Sequence, residues 1–148
     1  MMLPDKKYME FAKLASWDSR CVKRQLGCVL VFTDGSYVGG TNGAPRPLDA
    51  CNPCPRMVKG SHSGQDLDLC MAVHAERQAL LKAAKYGHTT EGSILYSYMG
   101  APCKDCAIEL IEAGVSEIIC SQHSYYDELS KKIIAEWVSK GGKFRFLE

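Results

Sequence analysis

The chain contains no apolar run approaching the ~20 residues needed to cross a bilayer, which argues against a membrane-spanning helix. Its first segment, MMLPDKKYMEFAKLASWDSR, carries a charge every few positions and has no hydrophobic core of the kind a secretory signal needs. Neither sign of charge is in excess. Eighteen Lys and Arg face 17 Asp and Glu, for a formal net charge of +1. Such a balance leaves no footprint for nucleic-acid or membrane binding, although a local basic pocket for a small anion is compatible with it. Internal repeats and low-complexity tracts are also absent. What remains is a cytoplasmic globular protein, and 148 residues make it most economically one domain, 1–148.

Cysteine, by contrast, is abundant: eight residues in a short chain. In a reducing compartment that count points to metal binding or thiol chemistry rather than a disulfide framework. The periodicity places a helix over DKKYMEFAKLASWDS, with Asp5 as its cap. QLGCVLVF and SYVGGT, separated by the turn signal Asp34-Gly35, predict a two-stranded hairpin. Residues 42–69, rich in Gly, Pro, Asn and Ser, read as a long loop. A helix is expected from about Cys70 to Tyr86, closed by Gly87. SILYSYM, VSEIICS and KFRFL are strands, and they alternate with helices over CKDCAIELIEAG and YDELSKKIIAEWVSK. Pro102 and Gly114 punctuate the first of these two helices. This order implies an α/β fold, a three-layer α/β/α sandwich around a mixed five-stranded sheet.

The stretch CMAVHAERQALL places His74 and Glu76 among apolar residues at the start of a core helix. Cys103 and Cys106, in APCKDC, supply the partners. Two cysteines three apart share one helical face, so both sulfurs reach one ion. Their place at a helix N-terminus favours thiolate over thiol. Two thiolates and one neutral imidazole make a three-ligand zinc site with the fourth position left to water, the arrangement of a catalytic zinc. Glu76 is then placed to take a proton from that water and to return protons to substrate and leaving group. A purely structural zinc would want a fourth protein ligand and gives Glu76 no role.

H-x-E followed by P-C-x-x-C is the signature of zinc-dependent nucleobase deaminases. Further stretches resemble the deoxycytidylate (dCMP) deaminase family over about residues 5 to 147: SRCVKRQLGCVLV, GGTNGAPRP, HAERQALLKAAKYG, PCKDCAIELIEAGVSEIIC and YYDELSKK. The resemblance implies hydrolysis of dCMP to dUMP and ammonia, with His74, Cys103 and Cys106 on zinc and Glu76 as proton shuttle. It also implies that Asn42 contacts the sugar or base side of the nucleotide and that Tyr125 or Tyr126 packs on it. The Ala75 N–H becomes a donor to the base carbonyl. Arg20, Lys23, Arg24 and Arg46 are the cations available for the phosphate, with Arg24 and Arg46 preferred. Family members are commonly hexamers, activated by dCTP and inhibited by dTTP, with Mg2+ accompanying a triphosphate effector. The 42–62 loop is the segment suspected of forming an effector pocket.

Each supporting residue has a plainer alternative. Asn42 before Gly43 suits a turn, the two tyrosines suit packing at a helix start, and the cations suit solvent. A departure from the family pattern is YSYMGAPC, where a Thr commonly precedes the Pro-Cys pair. Gly100-Ala101 leaves space there, which motivates a bifunctional dCMP/dCTP deaminase as an alternative. A free-nucleoside cytidine deaminase is a further one, since it shares the metal set but needs no phosphate pocket. Cys21, Cys51, Cys54, His62 and Cys70 have spacings that suit a second, structural zinc, or they are loop thiols. Cys28 and Cys120 read as small core residues.

Overall fold

A computed structural model describes residues 2–147. Helix α1 (Asp5–Ser16) precedes an antiparallel hairpin of β1 (Gly27–Val31) and β2 (Tyr37–Thr41). An irregular segment follows, holding the short α2 (Pro55–Lys59) and a single 3-10 turn at Leu67–Leu69. The chain continues through α3 (Ala75–Tyr86), β3 (Ile94–Ser97), α4 (Lys104–Glu112), β4 (Glu117–Cys120), α5 (Glu128–Ser139) and β5 (Lys143–Phe146). The strands form one sheet in the order β2-β1-β3-β4-β5. β1 is antiparallel to both of its neighbours, whereas β3, β4 and β5 run parallel. The expected mixed five-stranded sheet is therefore present.

β1 reads as an unbroken apolar run because both of its faces are buried. Cys28 and Leu30 point to one side, where they meet Ala75, Ala79 and Ala83 of α3 and Leu110 of α4. Val29 and Val31 point to the other, against Tyr8, Met9 and Ala12 of α1. These two cores make the three layers, with α1 on one face of the sheet and α3 and α4 on the other. Burial pushes the thiols of Cys28 and Cys120 up, in keeping with small core residues. In the hairpin turn Asp34 Oδ1 accepts from Ser36 N at 2.9 Å and Gly35 takes φ 88°, a conformation that a Cβ would strain.

Asp5 is not the cap of α1 but its first residue, after Pro4, and its carboxylate accepts from Tyr96 Oη at 2.6 Å instead of from the helix N–H groups. One boundary also differs from expectation. α3 begins at Ala75, not near Cys70, because Val73 is held in a backbone bridge with Gly43: Val73 N donates to Gly43 O at 2.8 Å and Gly43 N to Val73 O at 3.2 Å. His74 is then the extended residue (φ −68°, ψ 151°) that turns the chain into the helix. Gly87, at φ 76°, closes the helix as expected.

The first turn of α3 also leans directly on β2. A Cβ on Gly40 would collide with Ala75 O, lie 2.9 Å from Cys28 Sγ and 3.0 Å from Ala79 Cβ. On Gly39 the same atom meets only Ala15 Cβ at 3.6 Å and Cys28 O at 3.9 Å. Gly40→Ala is therefore expected to lower stability by about 1–3 kcal/mol through overpacking, while Gly39→Ala loses nothing. Urea midpoints at constant m-value test this, and equal midpoints for the two variants would remove the assigned role of Gly40.

Candidate active site

Two helix N-termini deliver the metal-binding side chains. His74 is the N-cap of α3 and Cys103 the N-cap of α4, with Cys106 in the first turn of α4. The two helices are tied by Arg77 of α3, whose Nε and Nη2 both reach the Glu109 carboxylate of α4 at 2.9 Å. His74 Nδ1 lies 3.5 Å from Cys103 Sγ and 3.4 Å from Cys106 Sγ. All three atoms fall within 4.8 Å of one another, and no other group of His, Cys, Asp or Glu among the described residues does so. Ligands at about 2.0 and 2.3 Å from a tetrahedral zinc sit about 3.5 Å apart, so the triad fits the ion without rearrangement.

Charge at the site suits a cation. Cys103 is pulled down to about 4, first by its hydrogen bond with Cys106 and then by His74 and the Cys106 backbone N–H. Cys106 is pushed up because it shares a proton with that thiolate and is buried. A dication held by His74, Cys103 and Cys106 would take the place of this shared proton, with both sulfurs as thiolates. His74 is raised by its bond to Cys103, against the effect of burial. Glu76 is 4% exposed. Burial raises its pKa most and the nearby Cys103 adds to the rise, while a hydrogen bond from its own backbone N–H opposes it first and His74 and Arg77 after that.

The triad opens into a cavity of about 630 Å3. Asn42, Tyr125 and Tyr126 line it together with His74, Glu76 and Cys103. Asn42 is also structural. Its Oδ1 accepts from Ser19 Oγ at 2.6 Å and Leu26 N at 2.9 Å, and its Nδ2 donates to Arg24 O at 2.8 Å. One amide hydrogen remains for a ligand. Tyr125 packs on Phe144 and Phe146 at 5.9 and 5.7 Å between ring centroids, so it serves both the helix start and the cavity wall. Ala75 is fully buried, and as the first residue of α3 its N–H has no intrahelical acceptor.

The cations separate. Arg24 and Lys23 are on the cavity wall; the exposed Arg46 is not. Arg20 is committed elsewhere, its guanidinium donating to Ala44 O at 2.9 Å and Leu48 O at 2.6 Å. Arg56, which did not stand out in the sequence, is on the wall and only 9% exposed. Its signal was Pro55-Arg56 after Cys54, a proline at the first position of a short helix. Gly100 and Ala101 both line the cavity, but the direction a Cβ on Gly100 would take is closed: it would collide with Ser124 Oγ and lie 2.8 Å from Ser124 O.

Cys21, Cys51, Cys54 and Cys70 all line a second cavity of about 20 Å3. His62 is not among its walls; its exposed side chain leaves it out of the set. The four sulfurs share the cavity without closing to the spacing of the triad.

An open sheet carrying a His-Cys-Cys triad at two helix N-termini, with a buried carboxylate beside it, defines a zinc-site domain of the open, catalytic type. The profile of the cytidine and deoxycytidylate deaminase zinc-binding region matches residues 2–122, and the chain belongs to that family. It is 38% identical over 125 residues to the deoxycytidylate deaminase of Schizosaccharomyces pombe, covering 83% of this chain and 38% of that protein. Its identity with the deoxycytidylate deaminase of Saccharomyces cerevisiae is 34% over 146 residues, covering 97% of this chain and 46% of the relative. The chain thus spans less than half the length of these two yeast proteins. The crystal structure of dCMP deaminase from cyanophage S-TIM5, in complex with dCMP and dUMP, superposes with a TM-score of 0.77 at 28% identity, over 99% of this chain and 100% of that one. Among the described residues no helix is long and apolar enough to cross a membrane.

Proposed function

We propose that the chain hydrolyses dCMP to dUMP and ammonia. The observation that carries this reading is the buried Glu76 beside a three-ligand metal triad inside an open cavity, where a structural site would present a fourth protein ligand. Bound at His74, Cys103 and Cys106, zinc supplies the Lewis acid that makes water nucleophilic near neutral pH. Glu76 carries one proton of the water to N3 and, after attack at C4, the second from the new hydroxyl to the departing amine. The enclosure that raises its pKa brings it closer to balance with neutral solution. The Ala75 N–H holds the base carbonyl oxygen. The free Asn42 amide hydrogen faces the sugar side, Tyr125 and Tyr126 pack on the nucleotide, and Arg24 meets its phosphate end.

The same reading extends to a cytoplasmic, hexameric enzyme of one domain, activated by dCTP, with Mg2+, and inhibited by dTTP. It also extends to a second, structural zinc held by Cys21, Cys51, Cys54 and Cys70. Ammonia release by the zinc-loaded protein is the test, with dCMP, dCTP and deoxycytidine compared side by side. Preference for dCMP is the expected result. Comparable turnover of dCTP makes the enzyme bifunctional, faster turnover of deoxycytidine makes it a nucleoside deaminase, and release from none of the three overturns the reading.

A further inference from the structure

Arg56 is a buried charge without a counter-charge. Its Nε donates to Gln65 O at 2.8 Å and its Nη2 to His62 O at 3.0 Å. These two bonds use two of the five guanidinium hydrogens. No carboxylate among the described residues forms an ion pair with it. The acid it influences electrostatically, Asp66, is already engaged by Lys59 Nζ at 2.8 Å and by Ser61 Oγ. Carbonyl dipoles alone compensate poorly for taking a guanidinium out of water, and an anion is the partner that completes it.

The residue also borders the right volume. Arg56 lines the cavity that holds Glu76 and the triad. Lys23 lines it too, and its Nζ reaches back to Ser61 O at 3.3 Å, in the same loop that Arg56 pins. Two cations from distant parts of the chain therefore converge on one wall, anchored through one loop. The Arg fork matches phosphate oxygens in pairs, and an ammonium adds a point charge beside it.

We propose that Arg56, assisted by Lys23 and joining Arg24 on the same cavity wall, receives the phosphate of the bound nucleotide and so sets the preference for nucleotide over free nucleoside. This rests on the deaminase reading for its substrate but not for its test. Arg56 is a specificity residue here, and α2 with the loop 60–65 becomes part of the substrate site rather than a surface excursion.

The test compares zinc-loaded wild type with Arg56→Gln, Arg56→Lys and Lys23→Gln. The readout is the ratio of kcat/KM for dCMP to kcat/KM for deoxycytidine, with zinc content and thermal midpoint measured on each protein. Loss of one charge-assisted bidentate contact is expected to lower this ratio about ten- to a hundred-fold in Arg56→Gln, through KM for dCMP. Arg56→Lys recovers part of the loss, and Lys23→Gln shows a smaller fall in the same direction. An unchanged ratio overturns the proposal, whether both substrates decline together, as for a simple loop staple, or neither does. Calorimetric binding of dUMP and deoxyuridine separates this from failure of the deaminase reading. If wild type turns over neither substrate yet binds dUMP more tightly than deoxyuridine, and Arg56→Gln abolishes the difference, phosphate recognition stands and the reaction is wrong. If wild type binds the two alike, the phosphate assignment falls.

Discussion

Glu76→Gln is expected to retain zinc and to release ammonia from dCMP with kcat lowered roughly 10²–10⁴-fold, the range attached to a positioned acid–base group. The substitution keeps shape and volume at a site that is 4% exposed, so the cavity and the first turn of α3 are undisturbed. It removes only the ability to take and return a proton. A Gln amide still accepts a hydrogen bond, so KM should change much less than kcat. The carboxyl is suited to the role because burial, its largest influence, destabilises the charged form, while His74 and Arg77 keep that form accessible. Zinc content measured on the same preparation separates lost chemistry from lost metal. A variant within threefold of wild type at full zinc loading would falsify the assignment of Glu76 as proton shuttle.

Cys106→Ala should be as damaging by a different route. Cys106 is 1% exposed, sits in the first turn of α4 and lies 3.4 Å from His74 Nδ1. Without it the site offers one thiolate and one imidazole, too few for a stable tetrahedral ion. Expected outcomes are loss of one zinc per chain, activity at background, and a lower thermal midpoint that no longer responds to added zinc. The last follows from linkage, because an ion that binds only the folded state stabilises it in proportion to its affinity. Metal analysis also reports on the thiol cavity. Two zinc per wild-type chain falling to one in Cys106→Ala supports a second ion, whereas one falling to none leaves Cys21, Cys51, Cys54 and Cys70 as free thiols. Retention of full zinc content by Cys106→Ala would remove it from the ligand set.

The chemistry-bearing residues were legible because residue type and spacing constrain them without any long-range information. Cys103 and Cys106 share a helical face at any packing, and His74 followed by Glu76 needs only a helix start. The boundary of that helix was not legible. It is fixed by pairing of Val73 with Gly43, thirty residues upstream, and a local window reads Cys70 to Val73 as apolar residues that extend the helix. The cations show the same division. Arg20, Lys23, Arg24 and Arg46 look alike in a sequence, and only folding commits Arg20 to Ala44 O and Leu48 O and leaves Arg46 off the wall. Arg56 was not among the cations singled out from the sequence. Its burial depends on the chain turning back so that the His62 and Gln65 carbonyls meet it. Gly100 signalled an opening by composition, and it does line the cavity; that Ser124 closes the direction of its Cβ is decided only by the turn after β4.

The triad and the nucleotide wall differ in how much chain each encloses. His74 opens α3, Cys103 and Cys106 open α4 with only β3 between, and His74 lies 29 and 32 positions from the two cysteines. The wall that Lys23 and Arg56 share needs Lys23 to find Ser61, 38 positions away, and Lys23 and Arg56 to meet the cavity residues beyond 70. Closing larger loops costs more chain entropy and is repaid only when the intervening parts are in place. The loop from His62 to Gln65 is exposed, and segments of that kind open at free energies well below global unfolding. On the proposed function, mild destabilisation is expected to open the wall of Arg56 and Lys23 before the metal triad, so that discrimination between nucleotide and nucleoside is lost while zinc is still held.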